Sequence, residues 1–269
     1  MGSNWIALAV LIAATCTACI RGEETAKGEL TVFAAASLTE SFKELGRQFE
    51  EKHPGVKVSF NFGASNQLRT QLQQGANADL FASANTKEMD AAVKSGVIAG
   101  GAPRTFARNH LIVLFPNPNR AKFESLKDLS KPGLKLVIAA KAVPVGKYTL
   151  EMLDKMSADP AYGAKFKEEV LKNVVSEEDN VKSVVVKVRL DQADAGIAYV
   201  SDLGAAASEV GALDIPASFN PIALYPIAPL SKAPQPALAK EFIELLLAPD
   251  GQSALQKHGF MPAEDKKKE

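Results

Sequence analysis

Several things are scarce in this chain. Of 269 residues only two are cysteine, Cys16 and Cys19, and only one is tryptophan, Trp5. Everything after Cys19 therefore lacks a disulfide framework and a thiol nucleophile. The three histidines, His53, His110 and His258, lie far apart and show no metal-ligand spacing, so they read as structural or surface residues. Neither sign of charge prevails, with 31 Lys plus Arg against 31 Asp plus Glu. No basic excess offers itself to a polyanion, which argues against a nucleic-acid partner. The longest apolar run, Trp5 to Ala18, is too short and too poorly flanked to span a membrane. Internal repeats and low-complexity segments are missing as well.

What is present begins with that run. It reads as the apolar region of a signal peptide over residues 1–19, although Met1-Gly2-Ser3-Asn4 contributes no lysine or arginine. Cys16-Thr17-Ala18-Cys19 has the C-x-x-C spacing of a redox or metal pair, but it closes the apolar run and no further cysteine follows. Cys19 instead resembles the lipidated cysteine of an imperfect lipobox. The mature protein is thus expected outside the cytoplasm, in the periplasm or on the outer face of the cell membrane, with Cys19 as candidate lipid anchor. Residues 20–29 read as a polar tether and 262–269 as a charged, solvated tail.

The central stretch is Leu30-Thr31-Val32-Phe33-Ala34-Ala35-Ala36-Ser37-Leu38-Thr39-Glu40. A short apolar strand narrows to alanines and stops at a serine. Ser37 with Glu40 has the form of a capping box, and Leu38, Phe42, Leu45 and Phe49 recur at helical spacing. A helix that starts this way presents backbone N–H groups with no partner inside the helix, at the positive end of its dipole. Such an end can bind an anion, though a single instance is usually only a cap. Here the form recurs. Gly63-Ala64-Ser65 follows the alternating strand Val56–Phe62, Val145-Gly146 follows the strand Leu134–Ala139, and Asn180-Val181 follows Val174-Val175. Asn85 and Glu88 give a further capping box.

Strands alternating with helices at this pace predict an α/β fold with mainly parallel sheets. His110–Phe115 is a nearly continuous apolar strand, and the Pro116–Asn119 break after it suits a crossing between lobes. A buried strand, Ala195–Val200, ends at Tyr199, and Pro221–Pro229 holds another. The expected division is 30–109 for the first part of lobe one, 110–202 for lobe two and 203–261 for the rest of lobe one.

Taken in order, Val32–Leu38, Gly63-Ala64-Ser65, Ala78-Asp79-Leu80-Phe81, Val143-Pro144-Val145-Gly146-Lys147-Tyr148, Asp179-Asn180-Val181-Lys182, Gly196–Asp202 and His258-Gly259-Phe260 form a set. The set resembles the periplasmic molybdate-binding proteins of ABC transporters, over about Leu30 to Met261. The resemblance implies the type II periplasmic binding protein fold, with the oxyanion in a cleft between two α/β lobes. It implies that Ser37 and Ser65 each give a hydroxyl and a backbone N–H, that Val145 and Val181 give backbone N–H groups, and that Tyr199 gives its phenol. The family usually has alanine where Val145 stands, a change that a backbone donor survives. The implied ligand is molybdate or tungstate, the implied partner a membrane permease, the implied form a monomer, and no cofactor is implied.

The residue chemistry fits. Molybdate, tungstate and sulfate are fully ionised near neutral pH and only accept hydrogen bonds, whereas monohydrogen phosphate also carries a proton that needs an acceptor. None of the five residues is charged. Two other readings stand beside this one. Sulfate or another tetrahedral oxyanion would suit the same donors. An enzyme on a binding-protein fold would need a nucleophile with a base, and neither serine has an evident histidine partner. Asp79 reads as structural and Lys147 as solvated.

Overall fold

A computed structural model describes residues 28–99 and 101–263. The expected signal peptide with Cys16 and Cys19, the tether up to residue 27 and the tail from residue 264 lie outside the described residues. In chain order the elements are β1 (Gly28–Ala35), α1 (Thr39–Lys52), β2 (Val56–Gly63), α2 (Ser65–Gln73), β3 (Leu80–Ala82), α3 (Thr86–Lys94), β4 (Arg104–Asn109), β5 (Leu111–Pro116), β6 (Leu136–Ala139), α4 (Pro144–Ser157), α5 (Phe166–Lys172), β7 (Val174–Glu178), α6 (Val181–Arg189), β8 (Ala195–Tyr199), α7 (Val200–Leu203), β9 (Val210–Asp214), β10 (Ala223–Pro229), α8 (Pro236–Leu247), α9 (Pro249–Lys257) and β11 (Met261–Pro262). They build two sheets flanked by helices. One has six strands in the order β11-β4-β10-β3-β1-β2, the other five in the order β7-β6-β8-β5-β9.

The α/β class is as the sequence predicts, but the sheets are mixed rather than mainly parallel. β1 pairs in parallel with β2 and β3, and β6 with β7 and β8. β10 runs antiparallel to β3 and β4, β11 to β4, and β5 to β8 and β9. Connectivity explains the division. A parallel neighbour requires a helical crossover, and β1, β2 and β6 are each followed by one. The first strand after each crossing, β5 and then β10, lies against that direction.

The first crossing is abrupt. β4 ends at Asn109 in the six-stranded sheet and β5 begins at Leu111 in the five-stranded one. The return comes later than the expected boundary at 202/203. β9 still pairs with β5, Ile112 opposite Asp214, and the chain rejoins the six-stranded sheet only at β10. Asn220 holds the two crossings together. Its Nδ2 donates to the Leu111 carbonyl at 2.8 Å and its Oδ1 accepts the Leu111 N–H at 2.9 Å.

Burial of one face, more than intrinsic propensity, holds α1 in place. Leu38, Phe42, Leu45 and Phe49 are all buried, and the Phe42 ring meets Phe106 and Phe242 at 5.6 and 5.8 Å. Burying each phenylalanine contributes about 1.5–3 kcal/mol. The helix start itself departs from expectation. Ser37 and Glu40 make no capping box. A short 3-10 turn, Ala36–Leu38, precedes α1 and no side chain caps either element. The Ser37 hydroxyl is taken up elsewhere, 2.9 Å from Tyr225 Oη. Elsewhere the local rules hold. Asn85 Oδ1 accepts the Glu88 N–H at 2.9 Å, Asn180 Oδ1 accepts the Ser183 N–H at 3.0 Å, and Asp128 Oδ2 reaches back to accept the Ser125 N–H at 2.9 Å.

Candidate functional site

The parallel strands decide where a site can form. In open α/β sheets, ligands bind beyond the carboxyl ends of the strands, where the chain turns into helix starts. The ends of β1, β2 and β3 in one sheet and the starts of α4 and α6 beyond β6 and β7 in the other enclose one cavity. It measures about 20 Å³, far below the roughly 300–1,000 Å³ of a pocket for a drug-sized ligand. All five residues singled out in the sequence line it: Ser37, Ser65, Val145, Val181 and Tyr199. Each is buried, none more than 4% exposed. Among the described residues, no Asp, Glu, His, Lys or Arg joins them.

Helix geometry supplies donors without charge. In α2 the first ladder bond runs from the Leu68 N–H to the Ala64 carbonyl at 3.0 Å, so the N–H of Ser65 precedes the ladder. In α4 the corresponding bond is Lys147 N–H to Val143 carbonyl at 3.0 Å, and Pro144 occupies the first helical position. Proline there gives up a donor the helix could not use and leaves the N–H of Val145 next in line. In α6 the Asn180 cap takes the Ser183 N–H, and Val181 stands before it. The α4 start sits hard against the end of β6. A Cβ at Gly146 would lie 2.2 Å from the Ala140 carbonyl oxygen, so only glycine allows that seat.

The hydroxyls have distinct surroundings. Ser65 Oγ accepts the Ala84 N–H at 3.0 Å, which leaves its own proton to point elsewhere. Ser37 Oγ lies against Tyr225 Oη. Tyr199 lines the cavity, and its hydroxyl is buried with no hydrogen-bond partner among the described residues. An orphaned buried hydroxyl costs about 1–3 kcal/mol, a cost that a ligand accepting its proton would remove. Burial first, then the Tyr225 and Tyr148 phenols and the Asp202 carboxylate, push the Tyr199 phenol well above its ordinary pKa. It therefore stays a protonated donor. Its backbone is fixed by Asp202, whose Oδ2 accepts the Tyr199 N–H at 3.2 Å while Oδ1 lies 3.2 Å from Lys182 Nζ. Burial raises the Asp202 pKa, and the facing Lys182 ammonium opposes that rise.

The sequence matches the family described as bacterial extracellular solute-binding protein over residues 30–261. The chain belongs to this family. The molybdate-binding protein ModA of Mycobacterium tuberculosis is 40% identical over 231 residues, covering 86% of this chain and 84% of that one. Among solved structures, the Azotobacter vinelandii periplasmic molybdate-binding protein superposes with a TM-score of 0.74 at 20% identity, over 86% of this chain and 98% of that one. The sulfate-binding protein SubI of Mycobacterium tuberculosis superposes with a TM-score of 0.78 at 18% identity, over 88% of each chain. At such identities these two structures speak to the fold alone.

In this solute-binding protein an open groove of about 530 Å³ shares Ala36 and Gly63 with the small cavity and is bordered by Thr39, Phe62, Lys182 and Lys187. Lys147 is exposed and lies outside the cavity lining. Asp79 is structural: its carboxylate accepts the Thr31 N–H at 2.8 Å and the Gln235 N–H at 2.6 Å. His53 and His258 pair with Glu241 and Glu44 at 2.7 and 2.9 Å, away from the cavity. Sequence reading missed the groups behind the serines, the Ala84 N–H and Tyr225. Both are reached only through tertiary contact, and no local motif marks them.

Proposed function

We propose that this solute-binding protein captures molybdate or tungstate outside the cytoplasm and hands it to the membrane permease of an ABC transporter. The observation that carries the reading is a small, buried cavity lined by neutral donors from several helix starts and by one unpartnered phenol. Ser37 and Ser65 act through hydroxyl and backbone N–H, Val145 and Val181 through backbone N–H, and Tyr199 through its hydroxyl. A fully ionised tetrahedral oxyanion accepts from all of them and asks for no acceptor in return. The 40%-identical relative named for molybdate supports that ion over sulfate, while the fold is common to both. The protein works as a binding protein rather than an enzyme. The serine hydroxyls bond to a tyrosine and a backbone N–H, an arrangement that gives neither an activating base. It acts as a monomer, tethered to the membrane by lipid on Cys19.

Calorimetric titration with molybdate, tungstate, sulfate and phosphate tests the reading. One molybdate or tungstate per chain should bind tightly, sulfate more weakly and phosphate least. Equal or tighter sulfate binding overturns the choice of ion and leaves the oxyanion site standing. Failure of every oxyanion to bind overturns the site.

A further inference from the structure

We infer that Lys182, which does not line the small cavity, sets the charge selectivity of the site: its ammonium cancels the buried Asp202 carboxylate and so admits a doubly charged ligand beside Tyr199. The inference rests on the oxyanion reading above. Asp202 is fully buried, and its Oδ2 accepts the Tyr199 N–H at 3.2 Å. Tyr199 lines the cavity, so the carboxylate stands directly behind a lining residue. A backbone N–H and a facing ammonium both favour its ionised form. A negative charge in that place is a liability for an oxyanion site, because buried surroundings screen it poorly. The repulsion scales with the charge of the ligand, so a dianion suffers twice what a monoanion does.

The Lys182 ammonium answers that charge. Its Nζ lies 3.2 Å from Asp202 Oδ1, an oxygen that makes no hydrogen bond among the described residues, so the contact is an ion pair. Nothing local accounts for a lysine here. It is the second residue of α6, directly after Val181, and a cation in the first turn works against the helix dipole. The carboxylate it meets accounts for it. Lys182 borders the open groove and reaches inward to Asp202 from there. With both groups in place the pair is neutral, and the backbone and hydroxyl donors act on the ligand unopposed. Neutralising Asp202 is thus what permits a dianion over a monoanion of the same shape.

The test is calorimetry at about pH 8, where free carboxylates are ionised. It compares the parent, Lys182→Met, Asp202→Asn and the double variant, each with sodium molybdate and with sodium perrhenate, a tetrahedral oxyanion of similar size and single charge. Lys182→Met should weaken molybdate about tenfold and perrhenate about threefold, because the lost interaction scales with charge. The double variant, with both charges gone, should return to within about twofold of the parent. A merely structural ion pair would weaken both anions alike, and removing its second partner would not restore binding. Unchanged molybdate binding in Lys182→Met, equal losses for the two anions, or a double variant as weak as Lys182→Met overturns the inference while the site stands. A parent that binds no oxyanion overturns the reading of the site, and the inference with it. Removing one partner of a buried pair is a costly change for folding. Should Lys182→Met not fold, Asp202→Asn is set against the double variant, since the two differ only in the Lys182 side chain. Molybdate should bind Asp202→Asn several-fold more tightly, and equal affinities overturn the inference.

Discussion

Across the cavity, Ser37 and Ser65 on the six-stranded side face Val145 and Val181 on the five-stranded side. The serines offer side-chain hydroxyls, Ser65 Oγ accepting the Ala84 N–H and Ser37 Oγ sharing a hydrogen bond with Tyr225 Oη. The valines offer only backbone N–H groups at the starts of α4 and α6, and their side chains are packing. One half of the proposed site is therefore written in side chains and can be erased by substitution. The other half is written in the positions of two helix starts. It tolerates any side chain that keeps the start in place, and it is lost only when the backbone donor itself is removed.

The contrast breaks most visibly on the serine side. A hydrogen bond to a charged group is worth about 1.5–3 kcal/mol, so Ser37→Ala and Ser65→Ala should each weaken molybdate binding about tenfold to a hundredfold in calorimetry. Two variants that bind like the parent would reduce both residues to structural roles. On the valine side the side chain and the donor can be separated at Val181. Proline is tolerated at the first helical position, and Asn180 before it is already extended at φ −158°, ψ 166°. Val181→Pro should fold and lose about tenfold in affinity, whereas Val181→Ala should stay within about twofold of the parent. Equal losses in both would mean that the side chain, not the N–H, matters.

Tyr199 belongs to neither half, and its variant trades stability against binding. Tyr199→Phe removes a hydroxyl that has no protein partner. Thermal unfolding of the ligand-free protein should hold or rise by up to about 1 kcal/mol, while molybdate affinity falls several-fold. A drop in ligand-free stability would show that the hydroxyl has a partner after all.

The smallest expected effect is of pH on the site, set against a larger one at the crossing. Among the described residues the only titratable lining group is Tyr199, held protonated, so molybdate affinity should be flat between about pH 6 and pH 8. His110 sits where the chain passes between the sheets, and its pKa is lowered from 6.5 by burial, with Asp214 opposing. The unfolded chain takes up this proton at a higher pH than the fold does. Its contribution to stability is thus complete above about pH 6.5 and is lost as pH falls through the lower folded value. Denaturant midpoints should decline on the acid side in the parent and decline less in His110→Asn.

The site was legible because it repeats. A strand, small residues and a helix start recur in order, and each recurrence is local, so the helix starts at Ser37, Ser65, Val145 and Val181 can be picked from sequence, whereas Tyr199 enters the proposed site only through the family resemblance. The groups behind them are not local. Ser37 finds Tyr225 and Asn109 finds Ser201 across long separations, and the Ser37–Tyr225 contact displaces the capping box that Ser37 and Glu40 spell out. Strand β9 was missed for a similar reason. Its Gly211 weakens any strand signal, yet a Cβ there would stand 2.2 Å from the Phe115 ring, so the glycine serves a neighbour on β5. The antiparallel pairings were hidden because a crossing strand carries the same apolar pattern as a buried parallel one.

Asn220 gives the molecule a mechanical property. One amide grips both polar groups of the Leu111 backbone and so locks the outgoing and returning chains side by side, like one extra rung of a ladder. Sliding one chain past the other by a single residue would break both bonds at once, whereas bending the pair together breaks neither. The connection between the sheets is thus stiff to shear and compliant to flexion. A rotation of one sheet against the other about this connection would leave both bonds intact, whereas a slide would cost both.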